Sequence, residues 1–177
     1  MNNFDKNWRN AKKSIFRLEG RAEYKTPGEL ENLNKWKLGE LDLDADKGWQ
    51  EWLKALKAAK TRGFAPQRVR AVPKLLPDYI KFEIDIWQKY SVKTGEEIFF
   101  IDESEYQAII AEFGFGPKDF WLFDDEKLLI LNYGKAGQFL GDILITNGGM
   151  VKRYCDLKMK LLQKSTPLES FVKKIRN

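Results

Sequence analysis

The first third of the chain has apolar residues at helical spacing, and the remainder alternates in the manner of strands. An amphipathic helix is predicted at the start, with Phe4, Trp8, Ala11 and Ile15 on one face. The following stretch, FRLEGRAEY, has no clear period, and Gly20 interrupts it. The pattern therefore predicts neither a helix nor a strand there.

Two further helices have predicted ends with a physical basis. The stretch TPGE indicates a helix start through a capping box of Thr26 and Glu29, and Gly39 is expected to end that helix. The next helix carries an apolar stripe rich in tryptophan. Its N-cap is predicted to be Asp44 or Asp46, because aspartate side chains accept bonds from the free N–H groups of a first turn.

The middle of the chain reads as strands separated by helices. PQRVRAV and GEEIFFID predict two strands, and SEYQAIIAEFG predicts a short helix after the second. Residues 78–90 fit both periods, and the Pro77–Asp78 start favours a helix. If residues 66–102 form a strand–helix–strand unit, we expect a right-handed crossover.

Three β-prone runs follow in DFWLFDDEKLLILNYGKAGQFLG and its continuation. The stretches DDEK and GKAG separate these runs, which predicts a three-stranded meander. Asp124 and Asp125 are explained as turn residues, since an aspartate at the first turn position bonds the backbone two residues on. A last amphipathic helix is predicted around residues 150–161, with a short segment after Pro167.

Together these elements predict an α/β or α+β fold. A helical N-terminal layer is expected to pack on a mixed sheet that ends in the meander, followed by a C-terminal helix. One domain is expected over residues 1–177, with a helical part at 1–63, a strand-rich part at 64–149 and a helical part at 150–177. Six Trp and twelve Phe provide large side chains for its core.

Composition restricts the possible chemistry. The chain has no histidine, which excludes imidazole-based catalysis and histidine-ligated zinc. No catalytic residue, metal or cofactor is predicted, and an enzyme is disfavoured. Cys155 is the single cysteine, which fits a reducing cytoplasm, and no apolar run approaches the length of a membrane span.

The net charge of +5 is distributed unevenly. Both ends are basic, whereas residues 95–129 are acidic, so the basic helices are solvated faces that balance the acidic middle or bind an acidic partner or nucleic acid. The candidate nucleic-acid contacts are Lys12, Lys13, Lys152, Arg153 and Lys160.

Several motifs carry a family resemblance. They are FRLEGRAEY (16–24), VRAV (69–72), LPDYIKFE (76–83), GEEIFFID (95–102), DFWLFDD (119–125) and FLG (139–141). In this order they resemble the bacterial family catalogued as domain of unknown function 6879, over roughly residues 4–172. The resemblance implies no catalytic residues, and it implies transcriptional regulation or defence by genomic association. A weaker similarity, to half of a phospholipase D-like domain, implies a version without the histidine-containing catalytic motif, used for sensing or binding.

Charged residues inside these motifs are the candidate binding site. The charged candidates, together with one tryptophan, Trp121, are Arg17, Glu19, Arg70, Glu83, Asp119 and Asp124. Because an isolated buried charge is costly, each must pair or face solvent. Structural ion pairs, such as Arg17 or Arg70 with Glu83 or Asp119, explain these residues as well as a ligand site does.

Three functions are therefore open. The first is a non-catalytic regulatory or interaction domain that binds a protein partner or a small ligand at an aromatic-rich end of the sheet. Its aromatic residues are Phe113, Phe115, Phe120 and Trp121, although each of them taken singly is rather expected to be a core residue. The second function is nucleic-acid binding through the basic terminal helices. The third and minor one is a metal-dependent hydrolase or nuclease that uses Asp102, Asp119, Asp124 and Asp125.

Overall fold

The computed structural model describes residues 2–116 and 118–176. These residues form a seven-stranded sheet in the order β6-β5-β4-β1-β2-β3-β7. The strands are β1 Ile15–Glu19, β2 Gln67–Val72, β3 Glu97–Asp102, β4 Asp119–Phe123, β5 Lys127–Tyr133, β6 Phe139–Ile145 and β7 Thr166–Pro167. The main helices are α1 Asn3–Asn10, α2 Pro27–Leu38, α3 Lys47–Thr61, α4 Asp78–Ile86, α6 Glu103–Glu112, α7 Gly148–Lys164 and α8 Leu168–Arg176.

The sheet is mixed, which confirms the predicted fold class. β1, β2 and β3 run parallel, and α2 and α3 connect the first pair while α4 connects the second. β4, β5 and β6 form the predicted antiparallel meander, with β4 paired to β1. The short β7, which the sequence did not indicate, pairs antiparallel with β3.

The two faces of the sheet differ in chemistry. One face is apolar, with Phe16, Leu18, Val69 and Ala71 packed under α6 and α7. The other face lies under α1 to α4 and α8, and has two separate apolar clusters. Charged side chains of β1 and β2 occupy the strip between those clusters, and this strip contains the candidate site.

The first strand was missed by sequence reasoning. α1 ends at Asn10, and Ile15 begins β1 instead of closing the helix, so the prediction of Ile15 on the opening helix is wrong. All five residues of β1 are buried. Arg17 and Glu19 alternate with apolar neighbours, and this alternation is typical of a strand with one solvated face. Here neither face is solvated.

The helix starts show one correction and one confirmation. The Thr26 hydroxyl donates to the Glu29 carboxylate at 2.7 Å and does not bond a backbone N–H, so the capping box is absent. Gly39 does end α2, in the left-handed conformation with φ of 72°. Asp46 caps α3 by accepting from the Trp49 N–H at 2.8 Å.

Residues 78–90 are helical, as the Pro77–Asp78 start favoured. α4 continues without a break into a π-helical segment, Trp87–Ser91, and then into α5, Val92–Thr94. This long helical unit covers the charged strip of the sheet with Glu83 and Trp87.

The acidic stretch DDEK is a tight turn. Asp124 and Asp125 have φ of 57° and 56°, and the Glu126 N–H donates to the Phe123 carbonyl at 3.0 Å. The two aspartates thus occupy the central positions of the β-turn formed by residues 123–126, and not the first position as predicted. Aspartate tolerates the left-handed conformation that a hairpin turn of this kind requires.

Asp124 also fixes the connection between α1 and β1. Its carboxylate accepts from the backbone N–H groups of Lys12 at 2.9 Å, Lys13 at 2.7 Å and Ser14 at 3.0 Å. These bonds tie residues separated by more than 100 positions in the chain. Asp124 therefore has a structural role, apart from the charged strip.

Replacing Asp124 with alanine is expected to lower the free energy of unfolding by about 1–3 kcal/mol, because three backbone donors lose a charged acceptor. Urea denaturation measures the change. Asp124→Asn keeps an oxygen acceptor and the turn preference, so it should cost less than alanine. An alanine variant as stable as the wild type would contradict the anchoring role.

Candidate functional site

Seven charged side chains are buried together between the sheet and its helical cover. This buried charge cluster consists of Arg17, Arg68, Arg70, Glu19, Glu83, Glu96 and Asp119. The strand register places Arg17 beside Arg68 and Glu19 beside Arg70 on the same face. Three guanidinium groups face four carboxyl groups, so one negative charge is left over when all seven are ionised.

Arg70 lies at the centre of the cluster and is fully buried. Its Nε donates to Glu83 Oε2 at 2.8 Å, which joins β2 to α4. Its Nη1 donates to the Arg21 carbonyl and its Nη2 to the Ala22 carbonyl at 3.4 Å. The guanidinium also lies over the Tyr24 ring at 5.3 Å. Arg70 thereby holds the β1–α2 connection against the sheet.

Arg68 and Arg17 share one carboxylate. Arg68 Nη1 lies 2.6 Å from Glu19 Oε1 and its Nε donates to Glu96 Oε1 at 2.8 Å. Arg17 Nε donates to the same Glu19 oxygen at 3.3 Å, and its Nη2 donates to Asp119 Oδ2 at 3.4 Å. Glu19 therefore neutralises two guanidinium groups with one oxygen atom.

Asp119 closes the cluster at the start of β4. Its carboxylate accepts from the Gly20 N–H at 2.9 Å and from the Tyr24 hydroxyl. Together with the Arg17 bond, these contacts fix the residues just after β1. The predicted ion pairs Arg17–Asp119 and Arg70–Glu83 are thus both present.

The cluster separates the pKa values of its carboxyl groups. Burial alone would raise the pKa of Glu19, but Arg68 and Arg17 outweigh it and hold the pKa at about 2. Burial raises the pKa of Glu83 to about 8, because the single bonded guanidinium of Arg70 does not offset the loss of water. Glu83 can therefore hold a proton near neutral pH while still accepting from the Arg70 Nε, and burial raises the pKa of Glu96 as well.

A cavity of about 250 Å³ adjoins the cluster, between the sheet and helices α2, α3 and α4. Its polar lining includes Glu19, Glu29, Asn32, Arg68, Tyr79 and Glu83, and its apolar lining includes Trp49, Trp52, Trp87 and Trp121. Eight buried polar side-chain atoms in the described part of the chain have no hydrogen-bond partner. Two of them, Glu19 Oε2 and Trp49 Nε1, belong to residues that line the cavity, and two others, Arg17 Nη1 and Glu96 Oε2, belong to the charge cluster. Such buried polar atoms are uncommon in folded proteins and are ordinarily satisfied by protein, water or a ligand.

The structure gathers most of the predicted site residues. Arg17, Glu19, Arg70, Glu83 and Asp119 belong to the cluster, and Trp121 lies 5.1 Å from the Arg17 guanidinium. Only Asp124 lies elsewhere.

Sequence reasoning missed Arg68, Glu96, Tyr24 and three of the four cavity tryptophans, which are Trp49, Trp52 and Trp87. The alternation of Arg68 with Arg70 in PQRVRAV was the available signal, because two arginines two positions apart lie on one face of a strand.

The aromatic surface expected for partner binding is wrong for two of its four members. Phe120 and Trp121 are buried and point to opposite faces of the sheet. Phe113 and Phe115 are partly buried, and Phe115 stacks on Tyr154 at 4.5 Å. These aromatics therefore pack in the core or against it.

The candidate nucleic-acid residues mostly contact other protein groups. Lys12 and Lys13 lie in the α1–β1 connection, and not on a helix as predicted. The observed pairs are Lys13 with Glu126 at 3.4 Å, Lys152 with Asp156 at 3.0 Å and Lys160 with Glu112 at 3.7 Å. Arg153 donates to the Phe113 carbonyl at 2.8 Å. These contacts reduce the charge that each side chain offers to a phosphate.

The four aspartates of the hydrolase alternative have separate surroundings. Asp119 is in the buried cluster, Asp124 accepts backbone N–H groups, and Asp125 pairs with Lys158 at 2.6 Å. Asp102 ends β3. Within residues 2–116 and 118–176, no three His, Cys, Asp or Glu side chains are grouped so that they could hold a metal ion.

A family match covers residues 2–173 of the chain. The chain belongs to the family described as domain of unknown function, DUF6879. The resemblance that the motifs indicated is thus confirmed. Among curated proteins, none matches the sequence. In the described part of the chain, no helix combines the length and apolar character needed to cross a membrane.

One solved structure with a similar fold is that of TrmBL2, described as an archaeal chromatin protein with a novel mode of DNA binding. The two chains are 10% identical, with a TM-score of 0.50. The similarity covers 92% of this chain and 49% of the TrmBL2 chain, so this family member spans about half the length of that protein. At this identity the likeness concerns the fold alone, and the phospholipase D-like similarity stays a prediction.

The raised pKa of Glu83 predicts that stability falls as pH rises from about 5 to about 8. In this range the folded protein keeps a proton that the unfolded chain releases, so the free energy of unfolding decreases by at most about 1.4 kcal/mol per pH unit. Urea denaturation at several pH values measures the slope.

Glu83→Gln is the matched control, because it keeps an oxygen for Arg70 and removes the titration. Its slope between pH 5 and 8 should be smaller than that of the wild type. Because the pKa of Glu19 is lowered, this group changes the free energy of unfolding only below about pH 4.5, outside the range from pH 5 to 8. Equal slopes in both proteins would assign the proton to another group.

Proposed function

We propose that this chain is a regulatory domain that binds a small molecule in the cavity beside the buried charge cluster. One observation carries the proposal: two residues that line the cavity, Glu19 and Trp49, each have a buried polar atom, Oε2 and Nε1, without a partner among the described residues. A ligand that satisfies both would recover the free energy lost by burying them.

The composition of the wall supports a ligand site. Binding sites for small molecules are mostly apolar, with a few convergent polar groups that orient the ligand. Four tryptophans and a small set of charged side chains give this cavity that character. Its volume of about 250 Å³ is below the usual range for drug-sized ligands, so a small ring compound is favoured.

A change in Trp49 should weaken ligand binding without unfolding the protein. Fragments with one aromatic ring system are screened by thermal shift, and the affinities of those that raise the melting temperature are measured by calorimetry. Trp49→Phe removes the indole N–H and keeps an aromatic ring, so we expect an affinity loss of about 2- to 10-fold, the value of one hydrogen bond.

Trp36→Phe is the matched control. Trp36 lies outside this cavity and donates to Asp85 at 2.9 Å, so its replacement should leave ligand affinity unchanged. The cavity would be rejected as the ligand site if no fragment raised the melting temperature. It would also be rejected if the fragments bound Trp49→Phe and Trp36→Phe with equal affinity.

Nucleic-acid binding is the second candidate. It is supported by the net charge of +5 and by the similar fold of TrmBL2, described as a DNA-binding chromatin protein. The ion pairs of Lys13, Lys152 and Lys160 weigh against it, because a phosphate would have to compete with a carboxylate at each.

Fluorescence anisotropy with short DNA and RNA separates the two candidates. We expect weak binding that changes little between about 50 and 200 mM salt, since three of the five candidate cations, Lys13, Lys152 and Lys160, are already paired with carboxylates. An affinity loss of about 10³-fold or more over that range would indicate six or more phosphate contacts and favour nucleic acid. The double variant Lys152→Glu and Lys160→Glu would then show whether α7 is the contact surface.

A further inference from the structure

We propose that the cavity selects a small organic cation, with an aromatic or apolar body and an N–H-bearing cationic head placed against Glu19. The inference rests on the proposed ligand site and adds the chemical class of the ligand. Three features of the wall carry it: its charge, its aromatic surfaces and its unsatisfied acceptor.

The charge of the wall favours a positive ligand. Three carboxyl groups, from Glu19, Glu29 and Glu83, line the cavity, whereas Arg68 provides the one lining guanidinium among the described residues. The adjoining cluster also has one more carboxyl than guanidinium groups. A cation in the cavity would therefore complete the neutralisation of these buried charges.

The aromatic wall already holds cations. Arg17 lies over the Trp121 ring and Arg68 over the Trp87 ring, each at 5.1 Å from the ring centre. The negative faces of indole rings attract a cation most strongly where water is excluded. Trp49 and Trp52 add two further indole rings to the lining of the cavity.

The unsatisfied acceptor orients the head of the ligand. Glu19 Oε1 accepts from Arg17 and Arg68, but Oε2 has no donor within the described chain. Because the low pKa keeps Glu19 ionised, Oε2 can accept a charge-assisted hydrogen bond from an ammonium or amidinium group. A quaternary ammonium ion lacks this N–H and would be disfavoured.

Cation binding should displace a proton. Glu83 faces Arg70 and Arg68 on β2 and Glu19 on β1, while Tyr79 and Glu29 lie nearby on α4 and α2. With its raised pKa, Glu83 holds the proton that compensates the spare negative charge, and a bound cation would take over that compensation. The affinity for a cation should thus rise with pH between about 6 and 8.

Three probes of one shape test the class by calorimetry: tryptamine, 3-methylindole and indole-3-acetate, which are cationic, neutral and anionic. We expect tryptamine to bind at least about tenfold more tightly than 3-methylindole, the equivalent of 1.4 kcal/mol, and indole-3-acetate to bind most weakly. Titrations in two buffers of different ionisation heat should show proton release with tryptamine alone.

Two variants assign the effect to the carboxyl groups. Glu19→Gln should remove most of the preference for tryptamine over 3-methylindole. If that variant fails to fold, Glu29→Gln, at a half-buried carboxyl group of the cavity wall, is used instead and should reduce the same preference. Glu126→Gln, at an exposed carboxylate of the DDEK turn, is the matched control and should leave the preference unchanged.

The outcomes separate this inference from the ligand site itself. Suppose that 3-methylindole or indole-3-acetate binds as tightly as tryptamine, and that Trp49→Phe lowers the affinity of that probe. The ligand site then stands and the cationic class is overturned. If no probe binds but the fragment screen yields Trp49-sensitive ligands without a cationic group, the class is overturned again. If neither experiment finds a ligand, both proposals fall.

Discussion

The fully buried guanidinium of Arg70 is the constraint on which the second face of the sheet depends. It bonds Glu83 on α4 and two carbonyl groups of the β1–α2 connection, so one side chain positions three segments. An arginine in this place cannot lose its charge, and every nearby element must therefore provide an acceptor for it. The carboxyl groups of the cluster, and the path of the chain after β1, follow from that requirement.

The same strands show that the charges are not needed to form a stable layer. Phe16, Leu18, Val69 and Ala71 alternate with the charged residues and build an ordinary apolar core on the opposite face. Replacing buried ion pairs by well-packed apolar groups is often neutral or stabilising, by about 1–4 kcal/mol. Stability alone therefore does not require a row of buried guanidinium and carboxyl groups beside a cavity, and recognition of a polar ligand is the role that we propose for it.

Sequence patterns predicted the elements whose buried and exposed faces differ. The meander, α3 with its Asp46 cap and the parallel pair β2–β3 all follow from local periodicity and turn chemistry. β1 was missed because both of its faces are buried, one of them by charges, and a local pattern cannot distinguish a solvated charge from a paired one. For the same reason, sequence motifs indicated Arg17, Glu19, Arg70, Glu83 and Asp119 as candidates but did not indicate Arg68 or the cavity. Those two features are defined only when distant segments of the chain pair in the fold.

Net charge alone does not decide between the two proposed kinds of partner. The chain is positive overall, yet the charged side chains that line the cavity in the described chain are three carboxyl groups and one guanidinium, so the proposed ligand has the opposite sign to nucleic acid. Exterior charges act through solvent that screens them within about 8–10 Å at physiological salt, whereas buried groups act at contact and are screened far less. A small cation would thus gain little from long-range attraction and bind through contacts that salt barely weakens. Nucleic acid would show the reverse, because its binding depends on the release of counterions.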